Sequence, residues 1–210
     1  RYASFSCYAY SAALLFQQAA EQENEAYLAA FAPAYTGPLQ LSYNQKNAQE
    51  IARALSGEAF VGSAATESHF KSIAKRYRLL HLSMHGKLAA QTDAEAYLLF
   101  QAEADSQDDG RLYLHELYNM RLPAELVGLA ACETGKGQLV SGEGVMSLAR
   151  AFRYAGCPSM VSSLWPADGS ATAAITQAFF QYLDQGITKS AALRKAKLSF
   201  LETAAPNQVY

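Results

Sequence analysis

Short apolar runs alternate along the chain with longer segments in which apolar residues recur every three or four positions. Runs of strand length are predicted at residues 3–8, 27–32, 58–61, 79–86, 97–100, 111–113, 126–132 and 159–165. Helical spacing is predicted for residues 11–25, 44–55, 66–76, 115–120, 143–155, 168–185 and 188–203. Strands that alternate with amphipathic helices indicate an α/β fold, here with three layers and a mostly parallel central sheet flanked by helices.

Composition and charge narrow the class of protein. Half of the 210 residues are apolar and the formal net charge is −2, so we expect one domain over residues 1–210 with a substantial core. The chain has no excess of basic residues, so its charge does not favour direct binding of nucleic acid or of an anionic membrane surface. No apolar stretch reaches the roughly 18 residues of a membrane-spanning helix. Because the chain begins at Arg1 without a methionine, we expect it to be a fragment of a longer protein.

The three cysteines are Cys7, Cys132 and Cys157, an odd set without framework spacing. This pattern favours a reducing compartment, which predicts a cytoplasmic location, and thiols that are used singly. Cys7 and Cys157 lie in apolar surroundings, so buried structural thiols are expected there. Cys132 differs because it ends an apolar run and is followed by a glycine-rich loop.

His85 and Cys132 close two apolar runs that we expect to be neighbouring buried strands. In open α/β sheets, ligands bind outside the carboxyl ends of the strands, so a thiol and an imidazole at two such ends can converge. Their separation is close to the spacing of about 50 residues between the histidine and cysteine of caspases. The pattern therefore predicts a cysteine peptidase of caspase-like architecture.

The segments around these two residues belong to a longer set of motifs that runs through nearly the whole chain. The set comprises residues 8–11, 31–35, 64–66, 80–86, 130–135, 142–145, 149–152, 155–156, 163–166 and 191–193. These motifs resemble the CHAT peptidase domain, a bacterial relative of caspases and separases that usually follows tetratricopeptide repeats. The resemblance implies a caspase-like fold, endopeptidase activity on protein or peptide substrates, and a dyad that maps onto His85 and Cys132. It also suggests tetratricopeptide repeats as partners in the same chain.

The predicted chemistry needs no cofactor and no metal. Cys132 attacks the scissile carbonyl, and His85 protonates the departing amine and then activates the hydrolytic water. Gly86 lets the backbone approach the substrate closely because it has no Cβ. The N–H groups of Gly86 and Cys132 are the expected oxyanion hole, as the family resemblance also implies.

Trp165 and Asp168 are the candidate substrate-binding residues. Trp165 is expected either to wall the pocket for the residue before the cleaved bond or to fill core at the end of its strand. Asp168 is expected either to place a negative charge in that pocket or to cap the following helix. It stands where the family commonly has two acidic residues in succession, whereas here Gly169 follows.

Three other interpretations stay open at this point. A metal site built from His81, His85, Cys132 and His115 is conceivable because imidazole and thiolate suit zinc, although a hydrogen-bonded core histidine is the plainer role for His81. A catalytically idle caspase-like scaffold would keep the fold for interaction alone. A nucleotide-binding domain is the third, but the glycine-rich loop at 135–144 lacks the lysine and hydroxyl ending of a phosphate loop.

Overall fold

The structure is a computed structural model, which describes residues 26–87, 96–103, 108–130, 143–163 and 169–203. Its strands are β1 (Ala26–Ala32), β2 (Glu58–Val61), β3 (Tyr77–Leu82), β4 (His85–Lys87), β5 (Tyr97–Leu99), β6 (Arg111–Tyr113), β7 (Leu126–Leu129) and β8 (Met160–Ser162). Its α-helices are α1 (Asn44–Ala54), α2 (Glu67–Ile73), α3 (Leu114–Asn119), α4 (Glu143–Ala155), α5 (Gly169–Asp184) and α6 (Lys189–Thr203). The strand predicted at 3–8 and the helix predicted at 11–25 lie outside the described residues.

Five parallel strands form the main sheet in the order β2-β1-β3-β7-β8. The chain passes from β1 outward to β2 and then returns to β3 on the other side of β1. Adjacent crossovers therefore leave the sheet in opposite directions at the β1/β3 boundary, which is the topological switch point where ligands of such sheets bind. A functional site is therefore expected at the segments that follow β1 and β3.

Both faces of the main sheet are covered, which confirms the predicted three-layer α/β fold. One face packs a core that includes Phe31, Phe70 of α2, Leu117 of α3 and Phe152 of α4. The opposite face packs α1, α5 and α6, with Phe180 of α5 among its fully buried side chains. Within the described part of the chain, no helix is long and apolar enough to cross a membrane.

A second sheet of three antiparallel strands, β4-β5-β6, contains the strands predicted at 97–100 and 111–113 and corrects one prediction. The run at 79–86 was predicted as one strand, but β3 ends at Leu82 and His85 begins β4, which belongs to the second sheet. Ser83 and Met84, which join the two strands, are themselves buried. Because burial continues across the break, the apolar pattern of the sequence carries no sign of it.

Helix α2 fixes the second sheet against the rest of the domain. Thr66 caps this helix by accepting a hydrogen bond from the His69 backbone N–H at 3.2 Å. Lys71 of the same helix places its ammonium 2.6 Å from Glu67, 2.7 Å from Asp108 and 2.8 Å from Glu116. Asp108 lies before β6 and Glu116 lies in α3, so a single ammonium connects three segments.

Candidate active site

The His85 side chain is buried at the first position of β4, and its ring is anchored at one nitrogen. Its Nε2 lies 2.6 Å from the backbone carbonyl oxygen of Leu39, in the 3-10 turn Gly37–Leu39 that follows β1. A carbonyl oxygen only accepts hydrogen bonds, so Nε2 carries the hydrogen. In the neutral ring Nδ1 is then the basic nitrogen, and the tautomer is set by the loop after β1.

Tyr35 contacts both the backbone and the ring of His85. Its hydroxyl accepts a hydrogen bond from the His85 backbone N–H at 3.2 Å and donates a short one to the carbonyl of Leu99. The two rings lie 4.5 Å apart between centroids at an angle of 49°. Burial raises the pKa of the Tyr35 hydroxyl, so the hydroxyl keeps its proton and remains a donor. The sequence contains Tyr35 in a family-like motif but gives no sign of this contact.

Asn44, the first residue of α1, joins the loops after β1 and β3. Its buried side-chain amide donates to the carbonyl oxygens of Pro33 at 2.8 Å and Ser83 at 3.4 Å. The chain after β7 is fastened to the same place, because the Ala130 N–H donates to the Leu82 carbonyl at 2.9 Å. The carboxyl ends of β1, β3 and β7 are therefore held together around His85 at the switch point.

The predicted site residues divide into two groups. His85 and Gly86 are adjacent and buried in β4, where Gly86 lies opposite Leu98 of β5. Cys132, Trp165 and Asp168 lie outside the described residues, as does Cys7, so their predicted roles stay predictions. Two neighbouring features are described: β7, which leads toward Cys132, pairs directly with β3, and α5 begins at the residue after Asp168.

His81 occupies a different environment from His85. It is fully buried in β3 opposite Gly128 of β7, and its ring meets Phe180 edge-on at 5.5 Å. Among the described residues, neither ring nitrogen has a hydrogen-bond partner of ordinary geometry. Burial lowers the pKa of His81 to about 4, and the backbone of Gly128 acts in the opposite direction with a smaller effect. The prediction of a core histidine is thus confirmed, but the predicted hydrogen bond is not found in the described part of the chain.

The alternative metal set is not brought together by the part of the chain that is described. His81 is enclosed by the main sheet and α5, whereas His115 is exposed on α3 and stacks on Tyr113 at 5.5 Å. Three side chains of metal-ligating type do converge at Glu67, Asp108 and Glu116. Lys71 already places its ammonium among these three carboxylates, so a protein cation occupies the centre of that group.

Comparison with known proteins gives the chain its family. The CHAT domain profile matches residues 1–209. Tetratricopeptide repeat protein 28 from Homo sapiens is 35% identical over 81 residues, which are 39% of this chain. The Mus musculus protein of the same name is 33% identical over 81 residues, also 39% of this chain. The chain spans about 3% of the length of these two relatives.

A solved flavodoxin structure from Streptococcus pneumonia TIGR4 matches over 77% of this chain and 100% of its own, with 12% identity and a TM-score of 0.42. Because the profile covers nearly the entire sequence, the chain belongs to the CHAT domain family.

Proposed function

We propose that this domain is a cysteine endopeptidase that cleaves protein substrates through a His85–Cys132 dyad. The observation that carries the proposal is the anchoring of His85 at the switch point, with Nε2 on the Leu39 carbonyl. This contact leaves the basic character of the ring at Nδ1, the nitrogen required to exchange protons with a thiol and a leaving amine. Membership of a family that resembles caspases supports the same chemistry.

In the proposed reaction, the Cys132 sulfur attacks the scissile carbonyl carbon and forms a tetrahedral oxyanion. The C–N bond breaks as the His85 imidazolium gives the Nδ1 proton to the departing amine, which leaves a thioester. His85 then takes a proton from water, and the resulting hydroxide attacks the thioester carbon. Collapse of the second tetrahedral intermediate releases the carboxylic acid, and the thiolate is again paired with a protonated imidazole.

The position of Gly86 supports its proposed part in the oxyanion hole. β4 lies at the edge of the second sheet, and the His85 N–H is directed to the Tyr35 hydroxyl that also bonds Leu99 of β5. Consecutive N–H groups of a strand point to opposite sides. We therefore expect the Gly86 N–H to face away from β5, on the side of β4 where the described residues place no further strand, as an oxyanion donor requires.

The remaining assignments belong to the same proposal. Trp165 and Asp168 precede α5 and are proposed to form part of the substrate pocket, with core packing and helix capping as their alternatives. Because the two mammalian relatives are named as tetratricopeptide repeat proteins, we propose that such repeats accompany this domain and regulate it. A cytoplasmic location and a bacterial source are proposed on the cysteine pattern and on the family resemblance, respectively.

The direct test compares two cysteine variants in a cleavage assay over a peptide library. The protein is prepared with its natural flanking sequence. Cys132→Ala is expected to abolish cleavage while leaving the fold intact. Cys157→Ala, the matched control, is expected to cleave like the parent, because Cys157 is buried and its thiol bonds the Ser159 carbonyl at 3.2 Å. Full activity of Cys132→Ala would remove the dyad assignment.

Labelling with an electrophilic peptide ketone distinguishes an enzyme from an idle scaffold. We expect selective modification of Cys132 over Cys7 and Cys157. Burial raises the pKa of the Cys157 thiol to about 11, so this thiol forms little of the reactive thiolate at neutral pH. Absence of labelling at Cys132, together with absence of cleavage across the library, would favour the scaffold.

A further inference from the structure

We propose that Tyr35 is a positioning residue, which fixes the backbone of His85 and thereby the imidazole that exchanges the proton in the peptidase reaction. This inference rests on the proposed function, because it gives Tyr35 a part in that reaction. Tyr35 does not touch the reacting atoms in the proposed mechanism. It acts through His85.

The first argument is the hydroxyl bridge between two strands. His85 of β4 stands opposite Leu99 of β5 at the end of their antiparallel pairing. The Tyr35 hydroxyl accepts the His85 N–H and donates to the Leu99 carbonyl, so it connects the two backbone groups at this position. β4 has only three residues, so the bridge adds to a short strand pairing at its first residue.

The second argument is that one short segment holds His85 from two directions. Tyr35 bonds the backbone and packs against the ring at 4.5 Å, and Leu39 accepts from Nε2 at 2.6 Å. Gly37 adopts a left-handed φ of 60° between them, which allows the chain to turn back toward the histidine. The backbone and the ring of His85 are therefore both contacted by the same loop, and loss of the hydroxyl removes the contact to the backbone.

Proton transfer is the step most sensitive to this arrangement. An amide nitrogen leaves only after it has been protonated, so acylation by an amide depends on the imidazole position. A p-nitrophenyl ester releases a stable anion and needs no proton at that step. A displacement of about 1 Å in a catalytic group can cost about 100-fold in rate. Loss of correct positioning should therefore slow acylation by the amide far more than acylation by the ester.

The experiment measures single-turnover acylation of Tyr35→Phe with an amide and an ester of the same peptide. The protein carries its natural flanking sequence. Phenylalanine keeps the ring contact with His85 and removes only the hydroxyl. We expect amide acylation to fall about 10- to 100-fold, ester acylation to change less than about twofold, and KM to stay within about twofold.

Tyr77→Phe is the matched control. Tyr77 is buried at the start of β3, whereas His85 follows the other end of that strand. The Tyr77 hydroxyl donates a hydrogen bond to Glu58 at 2.7 Å. This variant also removes one hydroxyl hydrogen bond of a buried tyrosine. We expect it to lower the thermal midpoint of unfolding while leaving the ratio of amide to ester acylation unchanged.

Three results would overturn the proposal. They are amide acylation by Tyr35→Phe within twofold of the parent, an equal fall for amide and ester, and failure of Tyr35→Phe to fold when Tyr77→Phe folds.

The ring signal of His85, observed by NMR with isotope-labelled histidine, gives a readout that does not need activity. We expect Tyr35→Phe to shift it and Tyr77→Phe to leave it unchanged. If the parent cleaves no substrate, the proposed function fails, while an unmoved ring signal would separately refute positioning by Tyr35.

Discussion

His81 and His85 lie four residues apart in one apolar segment and both are buried, yet they lie in different sheets and have different hydrogen-bond partners. His81 lies in the main sheet against Phe180, without a hydrogen-bond partner among the described residues. His85 lies in the second sheet, with Leu39 on its ring and Tyr35 on its backbone. Burial therefore does not distinguish a structural histidine from a candidate catalytic one. The hydrogen-bond partners do.

The difference follows from the place of each residue relative to the end of β3. Inside the sheet, β3 pairs with β1 on one side and with β7 on the other, and the His81 ring packs against the ring of Phe180. Beyond Leu82 the chain leaves the sheet, and loop carbonyls such as that of Leu39 become available as partners. An imidazole that must exchange protons benefits from such a partner, because the partner fixes its tautomer. A histidine just beyond the end of β3 thus has a loop carbonyl as a hydrogen-bond partner for its ring, whereas His81 within the strand has none among the residues that the structure describes.

The largest effect on kcat is expected when each of the two histidines is substituted in a separate variant. His85→Ala removes the proposed proton donor and is expected to lower kcat by about 10²- to 10⁴-fold. His81→Leu is expected to keep kcat within about twofold, because His81 lies within the apolar layer between the main sheet and α5. Both are measured by cleavage of a fluorogenic peptide. Comparable losses in the two variants would erase the contrast between these residues.

The pH dependence of stability provides the next largest effect, and it should come from His81. The pKa of His81 is lowered from its ordinary 6.5 to about 4 in the folded chain, which corresponds to about 3 kcal/mol. Between these values the unfolded chain binds a proton that the folded chain does not. The free energy of unfolding should therefore fall as the pH drops from about 6.5 to about 4.

Urea unfolding at several pH values measures this effect. The difference between the parent and His81→Leu isolates the contribution of His81, since other titrating groups are shared. We expect the difference to change by about 3 kcal/mol across this pH range, with the parent losing more stability than His81→Leu toward acid. Parallel curves would mean that His81 is not held neutral by its surroundings.

Much of this arrangement follows from the sequence, but the histidine partners do not. The predicted limits of β2 and α4 agree with the structure, because turn residues or glycines border both segments. The break after Leu82 was missed because the buried Ser83 and Met84 prolong the apolar run. The Leu39 contact could not be predicted, because a backbone carbonyl has no residue-type signature and its position depends on how the loop folds.

The packing around His81 gives a third prediction, at Gly128. A Cβ at this position would lie 2.8 Å from Cζ of Phe180, which is fully buried and has little room to move. Gly128→Ala is therefore expected to destabilise the domain by about 1–3 kcal/mol, measured by urea unfolding. Gly169→Ala is the control, because its nearest neighbour is Tyr43 at 3.5 Å and it is exposed. Equal stability of the two variants would show that the side of the sheet around His81 is less tightly packed than the structure indicates.

The smallest effect separates two hydrogen-bonding asparagines of helix α1. Asn44 donates to the strand-end carbonyls of Pro33 and Ser83 beside His85, whereas Asn47 donates to the Ala173 carbonyl of α5 at 3.0 Å. Each substitution to alanine should lower the free energy of unfolding by about 1 kcal/mol, measured by urea unfolding. Only Asn44→Ala should also slow peptide cleavage, because it loosens the two loops that hold His85. If Asn47→Ala slowed cleavage equally, activity would follow global stability, and the hydrogen bonds around His85 would have no special part in it.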